Sequence, residues 1–249
     1  MTSNAAEMPK PVSDATPEPL AGTMPDPSIG LQVRVVELLC SRICHDLVSP
    51  VAAIANGVEL LGEMGADGLN DALGLLGHSA RQASVRLQAF RLCYGAGGSE
   101  SLVSGKMIYE AFLHFIESDR VKLDWDLMND VPDEDLNPGF FKILLNAMLF
   151  ARECLIRGGT VAVKKDGMTM RVTATGETVT IREGMAEALS GALPVSQLTP
   201  KTVHPYVTHA FARHFGFPLT LEAGENTLTL TLTYTPADPV AETELPDLA

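Results

Sequence analysis

Between Ser28 and Gly62 the apolar positions Leu39, Ile43, Leu47, Pro50, Ile54, Val58 and Leu61 follow one another in steps of four, four, three, four, four and three. That spacing predicts one long helix carrying a stripe of coiled-coil type. After the turn-rich GEMGADGLN, a second helix is expected from about Asp71 to Tyr94, striped by Leu73, Leu76, Ala80, Ala83, Leu87 and Phe90. One helical hairpin cannot cover both stripes, whereas two hairpins from two chains can, as a four-helix bundle. The expectation is a homodimer, with Ile54 and Leu76 facing the bundle core.

Past the GAGGSES stretch at 95–101 the period changes. VSGKMIYEAFLHFIES (103–118) reads as a helix and VKLDWDL (121–127) alternates as a strand does. Residues 138–157 read as a helix stopped by Gly158-Gly159. TVAVKK, MTMRVTAT and TVTIRE then read as three short strands, a helix follows around 200–215, and PLTLEA with TLTLTLTY closes as a hairpin. The fold class is α+β: a helical hairpin forming a dimeric four-helix bundle, then an α/β sandwich with helices on one face of an antiparallel or mixed sheet. The boundaries are 28–98 for the hairpin and 99–235 for the second domain. Residues 1–27, with six prolines and no aromatic residue, read as a disordered leader, and 236–249 as an acidic tail.

Composition narrows the class. Hydrophobic residues make up 46% of the 249 and charged residues 20%, a balance that supports buried cores. The net charge of −13 argues against nucleic acid and anionic membranes as partners. Seven of those charges lie in the two tails, and residues 28–98 hold five Arg against six acids. No uninterrupted apolar run approaches the roughly 20 residues that span a bilayer. The first residues lack the basic-then-apolar pattern of a secretory signal, so a cytoplasmic protein is expected. Cys40 and Cys44 lie four apart on the first helix, but no second cluster supplies further ligands, and no metal site is expected.

The chemistry concentrates in Ser41-Arg-Ile-Cys-His45-Asp46-Leu-Val-Ser49-Pro50. His45 lies two positions from Ile43, about 200° around a helix, and so points away from the apolar stripe. Ser41, Val48, Ser49 and Ala52 share its face, small enough to let another protein approach. Asn56 and Glu59 continue that face, and with Arg42 are candidate partner contacts; a solvated helix surface is the plainer reading of all three. Asp46 is a candidate for holding the second ring nitrogen, although adjacent helix positions do not face each other. Pro50, mid-helix, removes a hydrogen bond and crowds the carbonyl of residue 46. His114, among Phe112, Phe115 and Ile116, reads as structural, and His204 as the cap of the last helix.

His-Asp-Leu-Val-Ser-Pro resembles the His-Glu-Leu-Arg-Thr-Pro box that carries the phosphorylated histidine of sensor histidine kinases. FFKILLNAMLFARECL resembles the kinase helix whose Asn-x-x-x-Asn-Ala motif binds magnesium and nucleotide. Asn146 keeps the first position, but Phe150 stands at the second. TATGETVT replaces the Asp-x-Gly-x-Gly loop without an Asp, and LTPKTVHPYVTHAF replaces the Gly-rich lid. The whole of residues 30–235 is similar to the ChpT-type histidine phosphotransferases of bacterial cell-cycle phosphorelays. That resemblance implies a homodimer that takes phosphate from the receiver domain of a hybrid kinase onto His45 and passes it to the receiver Asp of response regulators. It implies no cofactor and no ATP use, with Mg²⁺ supplied by the partner receiver. Two other readings remain open at this point: an ATP-dependent histidine kinase fragment, and a non-catalytic dimeric adaptor for receiver domains.

Overall fold

The computed structural model describes residues 27–63, 69–96, 103–126, 139–166 and 169–233, with side chains from Val33. The expected leader, most of the hairpin turn, most of the GAGGSES stretch and the acidic tail lie outside these residues. Helix α1 runs Pro27–Glu63 and α2 Leu69–Tyr94, packed on each other as the hairpin. The seam between them is built from small residues: Pro50 and Gly57 on α1, Ala72, Ser79 and Ala83 on α2, all buried. Leu76 lies directly over Gly57, where a β-carbon would come within 2.9 Å of it.

The second domain follows with α3 (Gly105–Phe115), β1 (Val121–Trp125), α4 (Phe140–Cys154), β2 (Gly159–Asp166) and β3 (Thr169–Thr175). It is completed by α5 (Met185–Ser190), a 3₁₀ turn at Val195–Gln197, α6 (Val203–His214), β4 (Leu219–Gly224) and β5 (Thr227–Thr233). The sheet order is β1-β2-β3-β5-β4, with β1 and β2 parallel and every other pair antiparallel. The parallel pair is joined through α4, as a crossover requires. Strict alternation sends Val161, Val163, Met170, Val172, Ala174, Leu228, Leu230 and Leu232 to one face, all fully buried under α4 and its neighbours. The threonines between them take the other face. Gly158 and Gly159 have φ of 93° and 147°, and a β-carbon on either would strike the carbonyl of Arg120 or Thr175. The Gly-Gly pair therefore ends a helix and also admits β2 between its neighbours.

Three expectations change. TVTIRE joins no strand of the sheet: Val179 makes a single bridge to Leu155, and Thr180 N–H donates to the Cys154 carbonyl at 2.9 Å. The segment is held instead against the end of α4, so its alternation yields one bridge and no ladder. α5 went unread because six residues between Gly184 and Gly191 are too short to display a period. Finally, Val33–Gly62 reaches a mean hydropathy of 1.4 over its most apolar 18-residue window, so α1 is long and apolar enough to cross a membrane. Its apolar residues are interleaved with charges, which the search for an uninterrupted run passes over.

The hairpin is fastened to the second domain on one flank. Leu38 buries itself with Leu198, Val203 and Val207, and Val35, Leu39 and Tyr94 pack around that cluster. Arg34 donates to the Leu198 carbonyl at 3.1 Å and Arg42 to that of Pro200 at 3.4 Å.

Candidate functional site

The second domain grips α1 only as far as Arg42, less than one turn short of His45. Past that point the face opens, and His45 and Asp46 stand at the wall of a cleft of about 1180 Å³ between hairpin and second domain. The His45 side chain is 89% exposed. Its Nδ1 lies 3.2 Å from Oδ1 of Asp46, which is 28% exposed. Asp46 therefore does reach the imidazole ring despite being its immediate neighbour. In the tautomer that carries its proton on Nδ1, directed at that carboxylate, Nε2 has a free lone pair.

Ser41, Val48, Ser49, Ala52, Asn56 and Glu59 are all exposed, on one open face with His45. Arg42 is not part of it. Its guanidinium pairs with Glu153 on α4, and both side chains are largely buried. Burial is the largest influence on Arg42 and opposes its charge, yet Glu153, Tyr94 and Asp46 together outweigh it and the pKa is raised; burial raises Glu153 despite the same partner. Arg42 thus locks the two domains together rather than standing free for a partner.

The far wall of the cleft lay outside the motif. Arg120, Arg157, Arg182 and Lys201 line it, all exposed, together with Arg152, whose Nε donates to Asp119 at 2.6 Å. Asp119 and Glu153 are thus paired within the protein. Against Arg120, Arg157, Arg182 and Lys201 the cleft sets one further acid, Glu177, so its lining is basic on balance in a chain of net charge −13. The cations come from four separate segments, so no local pattern announces them.

Behind this cleft the second domain is sealed. Asn146 is fully buried, and its amide donates to the Cys93 carbonyl at 3.1 Å and the Lys142 carbonyl at 2.8 Å. Phe150 is fully buried in the core. His204 does not cap α6; Thr202 occupies that position. Its ring is fully buried, with Nδ1 2.8 Å from the Tyr94 hydroxyl and Nε2 3.2 Å from the Asn146 carbonyl. Burial, with the nearby Arg42, holds its pKa well below the usual imidazole value. Lys142 donates to the Gly95 carbonyl at 2.6 Å and lies 4.4 Å over the Phe211 ring, its pKa lowered by burial. His114, read as structural, is exposed on α3 opposite α2.

The family model described as the histidine phosphotransferase C-terminal domain matches residues 108–227. Protein phosphotransferase ChpT of Brucella abortus (strain 2308) is 35% identical over 191 residues, 75% of this chain and 88% of that relative. The chain belongs to the histidine phosphotransferase family. A solved structure described as a bacterial phosphotransferase superposes with a TM-score of 0.65 at 30% identity, covering 80% of this chain and 96% of that one. Within the family the chain is of the ChpT type.

Proposed function

We propose that this protein relays a phosphoryl group through His45 between the receiver-domain aspartates of a hybrid kinase and of response regulators. The observation that carries this is the exposed imidazole with Nδ1 turned to Asp46 at the mouth of a basic cleft. Nε2 attacks the phosphorus of an aspartyl phosphate. The P–N bond forms as the P–O bond to the aspartate breaks, and the carboxylate leaves with the electron pair. The imidazolium so formed keeps its proton on Nδ1, steadied by Asp46, and the reverse step delivers the group to a second aspartate. The receiver brings the Mg²⁺ and the Lys that neutralise the moving charge, so this chain need only present the nucleophile. Ser49, Ala52, Asn56 and Glu59 then form the docking face. The basic wall suits a domain whose active centre is built from carboxylates.

The residues of α4 do not fit a nucleotide with its metal. The side chain of Asn146 is sealed from solvent, its amide nitrogen bonded to two backbone carbonyls and its Oδ1 buried without a partner and out of reach of a hydrated ion, and Phe150 fills the core. This favours a phosphotransferase without cofactor over a kinase fragment. A homodimer is supported by the apolar residues that the hairpin leaves open away from the His45 face, among them Val36, Val51 and Val58 on α1 and Leu69, Leu73 and Leu87 on α2. A second copy covering them would account for the apolar character of α1 without a membrane.

The test is a labelled phosphoreceiver mixed with each variant. His45→Ala is expected to take up no label while binding the receiver and folding normally. Val48→Arg and Ala52→Arg retain the nucleophile and are expected to transfer slowly because the receiver cannot approach. Label on His45→Ala overturns the reading, and a micromolar dissociation constant for ATP with Mg²⁺ restores the kinase alternative.

A further inference from the structure

Pro50 leaves α1 with a defect at a particular atom. A helical carbonyl accepts from the amide four residues on, and proline has none, so the carbonyl of Asp46 loses its partner. That carbonyl belongs to the residue beside His45, and Pro50 itself is buried in the hairpin seam. From α2, forty residues away, Arg86 Nη1 donates to this same oxygen at 2.9 Å, in a part-buried setting. The crevice that Arg86 enters is lined by Asp46, Asp119 and Glu153, the last two already paired with Arg152 and Arg42, so the Asp46 peptide is where its guanidinium finds a partner.

We infer that Arg86 is a positioning residue for phosphoryl transfer, replacing the helix hydrogen bond that Pro50 removes and thereby fixing Asp46 against His45. The argument rests on the reading of His45 as acceptor. A charge-assisted bond to the Asp46 carbonyl sets the tilt of that peptide, and the tilt sets where the Asp46 side chain leaves the helix. The carboxylate then sits within reach of Nδ1, the proton stays on that nitrogen, and Nε2 is presented as the base.

The experiment is a double-mutant cycle on the full chain, followed by the rate of label uptake from a phosphoreceiver. Since a misplacement of about 1 Å costs on the order of a hundredfold, Arg86→Met is expected to slow transfer roughly tenfold. In a Pro50→Ala background the amide of residue 50 is restored, and the same substitution is expected to change the rate less than about twofold. Arg86→Lys, which keeps a charged donor, recovers most of the loss. Nitrogen NMR of His45 reads the step directly: the Nδ1-protonated tautomer dominates in the native chain and gives way to a mixture in Arg86→Met. Equal slowing in both backgrounds, or an unchanged tautomer in a slowed variant, reduces Arg86 to a structural strut and overturns the inference. Should Arg86→Met fail to fold, Arg86→Lys and Arg86→Gln with and without Pro50→Ala carry the same comparison. His45→Ala, run alongside, separates the two readings: label there sinks the acceptor itself, whereas label lost there with no effect of Arg86 sinks only the positioning role.

Discussion

Helices α1 and α4 are both rich in apolar residues, and they meet opposite fates. α4 buries thirteen of its fifteen residues against the sheet and its neighbouring helices. Of the thirty α1 side chains from Val33 to Gly62, only Leu38, Pro50 and Gly57 are buried, and Val48, Val51 and Val58 stand more than half exposed. The sheet and three helices surround α4, so its burial is completed within one chain. α1 touches α2 on one side and the second domain along two turns, and the remainder of its surface is left open. An apolar helix can therefore mark a finished core or an interface, and only its surroundings tell which.

The sharpest way to break that contrast is to remove bulk from each helix. Phe150→Ala on α4 opens a cavity in a closed core and is expected to cost roughly 3–5 kcal/mol, read as a fall in the urea midpoint. His45→Ala on the open face of α1 is expected to cost less than about 0.5 kcal/mol by the same measurement, because it removes no packing.

Next in size is association. Val51→Asp or Leu73→Asp places a charge on an exposed apolar position, and is expected to turn a dimer into a monomer in sedimentation while helix content is kept. Leu76, half-buried and packed over Gly57 within the hairpin, also holds the two helices together. Leu76→Asp is expected to lose helix content as well as the dimer. A native chain that sediments as a compact monomer at micromolar concentration removes the interface reading of α1.

The smallest effect belongs to the seal between the two regions. His204 is neutral in the folded state, with a pKa well below the value of about 6.5 that it regains on unfolding. Below that pH the unfolded chain binds a proton that the folded chain does not. Stability from this group is thus fully present above pH 6.5 and declines as pH falls, by at most about 1.4 kcal/mol per unit. His204→Gln should flatten that part of the stability–pH curve, and a slope unchanged by the substitution assigns the effect elsewhere.

Much of the hairpin was legible because its signals are local. The four-three spacing from Leu39 to Leu61 reports a face of α1 directly, and the angular offset from Ile43 to His45 requires only helix geometry. The same holds for β3 and β5, whose alternation of apolar residues and threonine is written in consecutive positions. TVTIRE carries the same alternation and was misread, because alternation describes a segment's shape and not which strand, if any, it pairs with. His204 was misread for a related cause: Pro205 marks a helix start nearby, while burial against Tyr94 and Asn146 involves partners 110 and 58 residues distant.

By itself, then, the sequence determined the helical hairpin, the outward direction of His45, the proline defect one turn beyond it and the loss of the nucleotide motif on α4. Each follows from covalent geometry or from the period of a regular element, which a few neighbouring residues establish. Tertiary structure alone decided that the second domain stops just short of His45, that Arg42 is spent on Glu153, that cations from four segments face the imidazole, and that Arg86 reaches the Asp46 carbonyl. Those outcomes depend on contacts between residues 40 to 164 positions apart, whose energies are settled only when whole faces pack together, and no local pattern encodes them.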